Sequence, residues 1–223
     1  MRPYTICHMM ASVDGRIDCD MTEKIEDSDV YYEALGALEC PTMLMGRVTM
    51  QMHYAEPEMF KAADLTPIGH EAFHRATVAD GYLVAADTHG SLRWPQSAFD
   101  GKPLLVLTNE ECPKEYLDAL TAQGISWIST GRTRIDLPRA MALLTSEFGV
   151  QRLSVTGGGH INAAFLHAGL LDEVSVMYAP GIDGRGGMTA VFDGIDDADY
   201  PPTRLTLTAV SQTGGTVWLR YKV

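Results

Sequence analysis

Short β-rich apolar runs alternate along the chain with stretches that carry apolar residues at helical spacing. Tyr4 to Met10 reads as a central strand, and Cys19 to Asp27 as a polar loop. Ser28 or Asp29 then caps a helix through Val30, Tyr31, Ala34, Leu35 and Leu38, which Pro41 ends. Thr42 to Met45 predicts a short buried strand, and a short helix is expected to start near Thr66-Pro67 and end before Gly81. Tyr82 to Ala86, Leu104 to Leu107 and Ile125 to Ile128 predict further strands. Helices are predicted from Pro113 to Gly124 and from Pro138 to Phe148. Strand and helix in turn, with short connections, predict an α/β fold with a mainly parallel central sheet covered by helices on both faces. Leu205 to Val223 changes character: two alternating runs flank Thr213-Gly214-Gly215 and predict a C-terminal antiparallel hairpin.

Leu153 to Pro180 organises the rest. Leu153 to Thr156 is strand-like, Gly157, Gly158 and Gly159 follow, His160 to Ala168 has helical spacing, and Val174, Val176 and Tyr178 alternate as a strand. Glycines between a strand and a helix N-terminus leave backbone N–H groups bare where the helix dipole favours an anion. The stretch is therefore either a phosphate cradle or a tight connection with no ligand. Gly46-Arg47-Val48-Thr49 is a second glycine ahead of a helix, here with a cation and a hydroxyl that can hold phosphate. Alone, Thr49 would be a cap and Arg47 a solvated charge. Two such places in one chain favour a dinucleotide.

Composition narrows the partners. A formal net charge of −12 argues against nucleic acid and anionic membranes, so a phosphate site has to be made locally. No run is long enough to span a membrane, Met1 to Ile6 lacks a signal-peptide pattern, and a cytoplasmic protein is expected. Cys7, Cys19, Cys40 and Cys112 are scattered, without the spacing of a zinc site or redox dithiol. No linker composition appears, so residues 1–223 are expected to form one domain.

Two further motifs carry candidate chemistry. In Ala11-Ser12-Val13-Asp14-Gly15-Arg16-Ile17, Asp14-Gly15 signals a turn, and Ser12 and Asp14 at a strand end could point into a cleft. His70-Glu71-Ala72-Phe73-His74 matches the H-E-x-x-H pattern of zinc proteases. No later histidine or glutamate stands at a third-ligand spacing, and a solvated helix face is the expectation, with no metal.

Residues 11–17, together with Gly157-Gly158-Gly159, Phe165 to Glu173 and Ala179-Pro180, resemble the two signatures of the RibD C-terminal reductase family of riboflavin biosynthesis. The order of elements is similar to that family nearly end to end, and to dihydrofolate reductase, its structural relative. The resemblance implies a homodimeric reductase that takes hydride from NADPH and passes it to a C=N-type carbon of a pyrimidine- or pterin-like substrate. It implies cofactor binding by Arg47, Thr49, Gly157, Gly158, Gly159, His160 and Ile161. Ser12, Asp14 and Thr156 would face the substrate, with Asp14 as the candidate to orient it or relay a proton. Thr156 stands where the riboflavin enzymes usually carry glutamate, and His53 where they tend to carry aspartate. Those departures motivate an alternative, a nucleotide-binding protein of the same fold that has lost catalysis.

The adenosine end is expected at Thr108-Asn109-Glu110-Glu111, whose acids suit the free 2′-hydroxyl of NADH. Arg47, Arg132 and Arg134 suit a 2′-phosphate, and NADPH is the predicted cofactor.

Overall fold

The computed structural model describes residues 1–197 and 199–223. In chain order, β1 (Tyr4–Ala11) is followed by two helices, α1 (Cys19–Ile25) and α2 (Ser28–Ala37). The α1 segment corrects the expected loop. Asp20 in its first turn and Lys24 in its last both suit the helix dipole, but the segment has no apolar stripe to read. The N-cap of α2 is Asp27, one residue ahead of the expected position, and its carboxylate accepts from the Asp29 N–H at 3.0 Å.

β2 (Thr42–Gly46), α3 (Arg47–His53), β3 (Ala72–His74), β4 (Leu83–Ala86), β5 (Ala98–Phe99) and β6 (Lys102–Thr108) follow. Then come α4 (Lys114–Ala122), β7 (Ser126–Ser129), α5 (Leu137–Ser146), β8 (Arg152–Val155), α6 (Gly159–His167), β9 (Glu173–Tyr178), β10 (Thr206–Thr213) and β11 (Thr216–Lys222). The strands are mainly parallel, helices flank them and an antiparallel hairpin ends the chain, which is the dihydrofolate-reductase-like class expected from the sequence.

The chain divides into two compact units, Met1–Pro3 with Pro41–Leu153, and Tyr4–Cys40 with Ser154–Val223. In the first, β2, β4, β6 and β7 run parallel in that order, and β3 adds antiparallel to β7. Their carboxyl ends therefore lie along one edge. The core beneath holds Met45, Met50, Leu104, Val106, Leu117 and Trp127, with the flexible methionines filling gaps between the aliphatic and aromatic side chains. A buried polar chain crosses it: Trp94 Nε1 donates to Tyr116 Oη at 3.1 Å, and Tyr116 Oη donates to Asp87 Oδ2 at 3.2 Å. Asp87 also accepts the N–H groups of Ser91 and Leu92, which fixes the loop after β4.

The helix expected between Thr66 and Gly81 is absent. Gly69 takes a positive φ of 74°, Pro67 bridges to Pro113, and Ala72–His74 pairs with β7. His70 and His74 therefore share no helix face, and Glu71 forms a bidentate pair with Arg139 at 2.8 and 2.7 Å. Among the described residues no group of three potential ligands is placed to hold a metal ion.

In the second unit β1 and β9 run parallel with Ile6 opposite Glu173 and Ala11 opposite Tyr178. β11 joins β9 antiparallel, and β10 joins β11. His8 is fully buried on β1. Its ring stacks on Tyr31 at 4.7 Å, and its Nδ1 lies 2.9 Å from Ser175 Oγ, which accepts from Trp218 Nε1 at 2.7 Å. The Ser175 proton is thus free to be donated to a neutral imidazole. Burial lowers the His8 pKa to about 4.

A folded pKa below the unfolded value of about 6.5 means that the unfolded chain binds the extra proton first as pH falls. This contribution is complete above pH 6.5 and is lost between there and about pH 4, by up to about 3 kcal/mol. Chemical denaturation of wild type and His8→Gln across that window should show the slope in wild type and a flatter curve in the variant. Equal slopes would place the titration elsewhere.

Candidate active site

The second unit gathers most of the expected residues. Ala11 ends β1, and the chain turns through Asp14-Gly15, with Gly15 at φ 81°. Ser12 is fully buried; its Oγ donates to Asp14 Oδ1 at 2.6 Å and accepts from the Arg16 N–H at 3.1 Å. Asp14 also accepts the N–H groups of Asp183 and Gly184, at 2.9 and 3.0 Å. The Ser12 hydroxyl and these two amides hold the Asp14 carboxyl well below the usual carboxylate range. The carboxylate accepts hydrogen bonds from both loops. It fastens the loop after β9 to the loop after β1.

From that anchor, residues 181–193 run as a strap to the glycine turn. Gly181 O accepts from Val13 N, Thr189 O from Ile17 N, and Met188 O from Arg16 Nη1 at 2.7 Å. Farther along, Val191 O accepts from Asn162 Nδ2 at 2.7 Å, and Asp193 N donates to Gly159 O at 3.2 Å. A Cβ on Gly159 would stand 2.4 Å from Ala190 O and 2.7 Å from Thr189 Cγ2. Glycine is required at that close approach. Gly157 has φ 124°, a second place where only glycine is comfortable, while the Gly158 backbone is extended at φ −89°.

The turn opens α6 without any side-chain cap and with no acid in the first turn. The Asn162 N–H bonds back to Gly158 O, so the donors of Gly159, His160 and Ile161 precede the first intrahelical bond. Thr156, 7% exposed at the end of β8, leaves its Oγ1 without a partner among the described residues, as does the buried Asn162 Oδ1. The His160 ring packs against the Gly194 backbone.

Arg47 and Thr49 belong to the first unit. Gly46 is the N-cap of α3, again with no capping side chain and no acid in the first turn. Arg47 is exposed and reaches Gln51 Oε1 at 3.2 Å, and Thr49 is half-buried. Of the six helices among the described residues, α1, α2 and α4 carry an acid in the first turn, and α5 is capped by Asp136. Among these described helices only α3 and α6 have a glycine N-cap with neither. In a chain with 29 acidic residues these are the two helix starts left open to an anion.

The loops expected at the adenosine end are neighbours at the carboxyl ends of β6 and β7. Thr130 N donates to Thr108 O at 3.0 Å and Glu110 N to Gly131 O at 2.8 Å. Arg132 and Arg134 are exposed. Sequence reading missed the role of Asn109 there: it is fully buried, and both its amide nitrogen and oxygen lack partners among the described residues. A polar residue directly after an apolar strand was the available signal. The 181–193 strap carried no such signal, because its ties are made largely through backbone carbonyls.

The family model of the RibD C-terminal domain matches residues 3–219. The chain belongs to this family of reductases. Within the family it is 27% identical over 205 residues to the 2,5-diamino-6-ribosylamino-4(3H)-pyrimidinone 5′-phosphate reductase of Methanothermobacter thermautotrophicus, covering 88% of each chain. A pyrimidine reductase-like protein from Corynebacterium diphtheriae superposes with a TM-score of 0.73 at 17% identity, over 99% of this chain and 91% of that one. Acinetobacter baumannii RibD superposes with a TM-score of 0.68 at 20% identity, over 99% of this chain and 58% of that one. At those identities the two structures speak for the fold.

If the strap is seated on the glycine turn as described, Gly159→Ala should cost about 1–3 kcal/mol, the usual penalty of overpacking against backbone. Equilibrium denaturation measures it. An unchanged stability would contradict the close approach of Ala190 to Gly159.

Proposed function

We propose that the chain is an NADPH-dependent reductase acting on a ribosylamino-pyrimidine phosphate or a similar C=N-bearing pyrimidine or pterin, and that it works as a homodimer. The observation that carries the proposal is the pair of uncapped, acid-free helix starts in a strongly acidic chain, one of them beside the orphaned Thr156 hydroxyl. Each of these helix starts fits a phosphate group of a nucleotide. The backbone N–H groups at the start of α6 suit a pyrophosphate, and Arg47 and Thr49 suit a further phosphate oxygen. Family membership and the match to a reductase of a ribosylamino-pyrimidinone phosphate support the substrate class.

When bound, the dihydronicotinamide supplies the hydride, the C=N carbon accepts it, and the nitrogen takes a proton. The protein's part in this is placement. The Asp14 carboxylate holds the loops after β1 and β9 in one arrangement, so that the strap and the glycine turn are set before a ligand arrives. Arg132 and Arg134 supply cations toward a 2′-phosphate, and Asn109 presents a donor and an acceptor in the adjoining loop. Asp14 is the candidate to orient the substrate or relay that proton. Thr156 where the family usually carries glutamate, and His53 where it tends to carry aspartate, favour a second reading in which the protein binds the nucleotide without turning it over.

The deciding experiment is NADPH oxidation followed with the ribosylamino-pyrimidine phosphate and with pterins. Turnover with either supports the reductase. Tight NADPH binding with no turnover supports the second reading. The cradle is tested separately by Gly158→Val, at a position whose φ of −89° is one that residues other than glycine adopt. That variant should stay folded and lose NADPH affinity severely, and unchanged affinity would sink the cradle. Thr49→Val should weaken NADPH by about 1–3 kcal/mol, the cost of one hydrogen bond to a charged group. A loss of thermal stability without a loss of affinity would make Thr49 only a cap.

A further inference from the structure

Arg16 is a cation that the second unit holds firmly and leaves without an acid. Its backbone is bound on both sides. The Arg16 N–H donates to Ser12 Oγ at 3.1 Å, and the Arg16 carbonyl accepts from the Ser12 N–H at 2.9 Å. The residue stands opposite Ala190 in a bridge to the strap. Its side chain follows the strap, where Nη1 donates to Met188 O at 2.7 Å. Arg16 is partly buried, and its Nε is shut away from solvent with no acceptor among the described residues.

A guanidinium so placed calls for an anion, because a charge drawn out of water without a partner is costly. The chain has acids to spare, with 29 Asp and Glu against 17 Lys and Arg. Those around Arg16 are committed elsewhere. Asp14 accepts from Ser12, Asp183 and Gly184, while Asp18 and Asp183 pair with Arg185 at 2.9 and 2.5 Å. Arg220, on β11, has Glu173 at 2.5 Å. Arg16 takes part in no ion pair among the described residues. Its location adds to this. Ala190, opposite Arg16, is the residue whose carbonyl closes on Gly159. Arg16 thus lies one bridge from the glycine turn and on the same turn as Ser12 and Asp14.

We propose that Arg16 is a phosphate-binding residue, whose guanidinium neutralises a phosphoryl group held beside the strap. A planar guanidinium meets phosphate oxygens with parallel N–H donors, and the unused Nε–H is one such donor. Two sources supply this chemistry, the pyrophosphate of the cofactor and the phosphate monoester of a ribosylamino-pyrimidine. The proposal rests on the reading above that the second unit takes phosphorylated ligands, and it adds a side-chain cation to backbone donors that carry no full charge.

Proton–nitrogen NMR of the arginine side chains of the full chain tests it, with the Arg16 Nε–H signal assigned by its loss in Arg16→Lys. NADPH and ribose 5-phosphate are titrated separately. The Arg16 signal should shift saturably with at least one of them. A shift with NADPH assigns the cofactor's pyrophosphate, and a shift with ribose 5-phosphate assigns the monoester. Arg16→Gln should weaken that ligand roughly 10-fold or more, and Arg16→Lys should recover part of the loss. The thermal midpoint of the ligand-free variant should change little, since the lost bond to Met188 O is offset by relief of an unpaired charge. Binding of both ligands with the Arg16 signal unmoved, and with unchanged affinities in Arg16→Gln, would make Arg16 a clamp on the strap. That result would overturn this proposal and leave the reductase reading standing. A wild-type protein that binds neither ligand would overturn both.

Discussion

The Asp14 carboxylate is the constraint on which the second unit's functional edge depends. One short side chain gathers three donors, from Ser12, Asp183 and Gly184, and thereby joins the loop after β1 to the loop after β9. Everything farther along the strap inherits its position from that junction. The strap's carbonyls then meet Arg16, Ile17 and Asn162, and Ala190 closes on Gly159. The glycine turn is therefore more than a flexible connection. Gly157 is required by its dihedral and Gly159 by its neighbour.

Charge gives the same picture from another direction. The chain spends its many acids on helix starts, where the dipole favours them, in α1, α2 and α4, and caps α5 with Asp136. It withholds them from α3 and α6. In an acidic protein an acid-free helix start is distinctive, and it suits contact with an anion.

Most of the α/β pattern was legible because buried strands such as Leu104 to Leu107 and glycine-closed helices such as that ending before Gly124 report on their own local chemistry. What was not legible depended on partners distant in sequence. The α1 segment lacks an apolar stripe, and Ala72–His74 becomes a strand because β7 offers it a partner. Ser12 and Asp14 were legible as residues of a strand end and turn, but the contacts Asp14 makes were not. Asp14 reads as a turn residue or an acid until the amides of Asp183 and Gly184, about 170 positions away, are seen to occupy it. The glycine run was legible as a strand-to-helix turn, since glycine itself is the signal.

The central claim is that the start of α6 receives the pyrophosphate of a nicotinamide dinucleotide. Backbone amide NMR of the full chain during titration with NADPH tests it most directly, because glycine amides report the contact without any substitution. The account predicts that the N–H resonances of Gly158, Gly159, His160 and Ile161 shift in step, saturably, and among the most strongly in the second unit. Saturable NADPH binding that leaves those four resonances in place would contradict it.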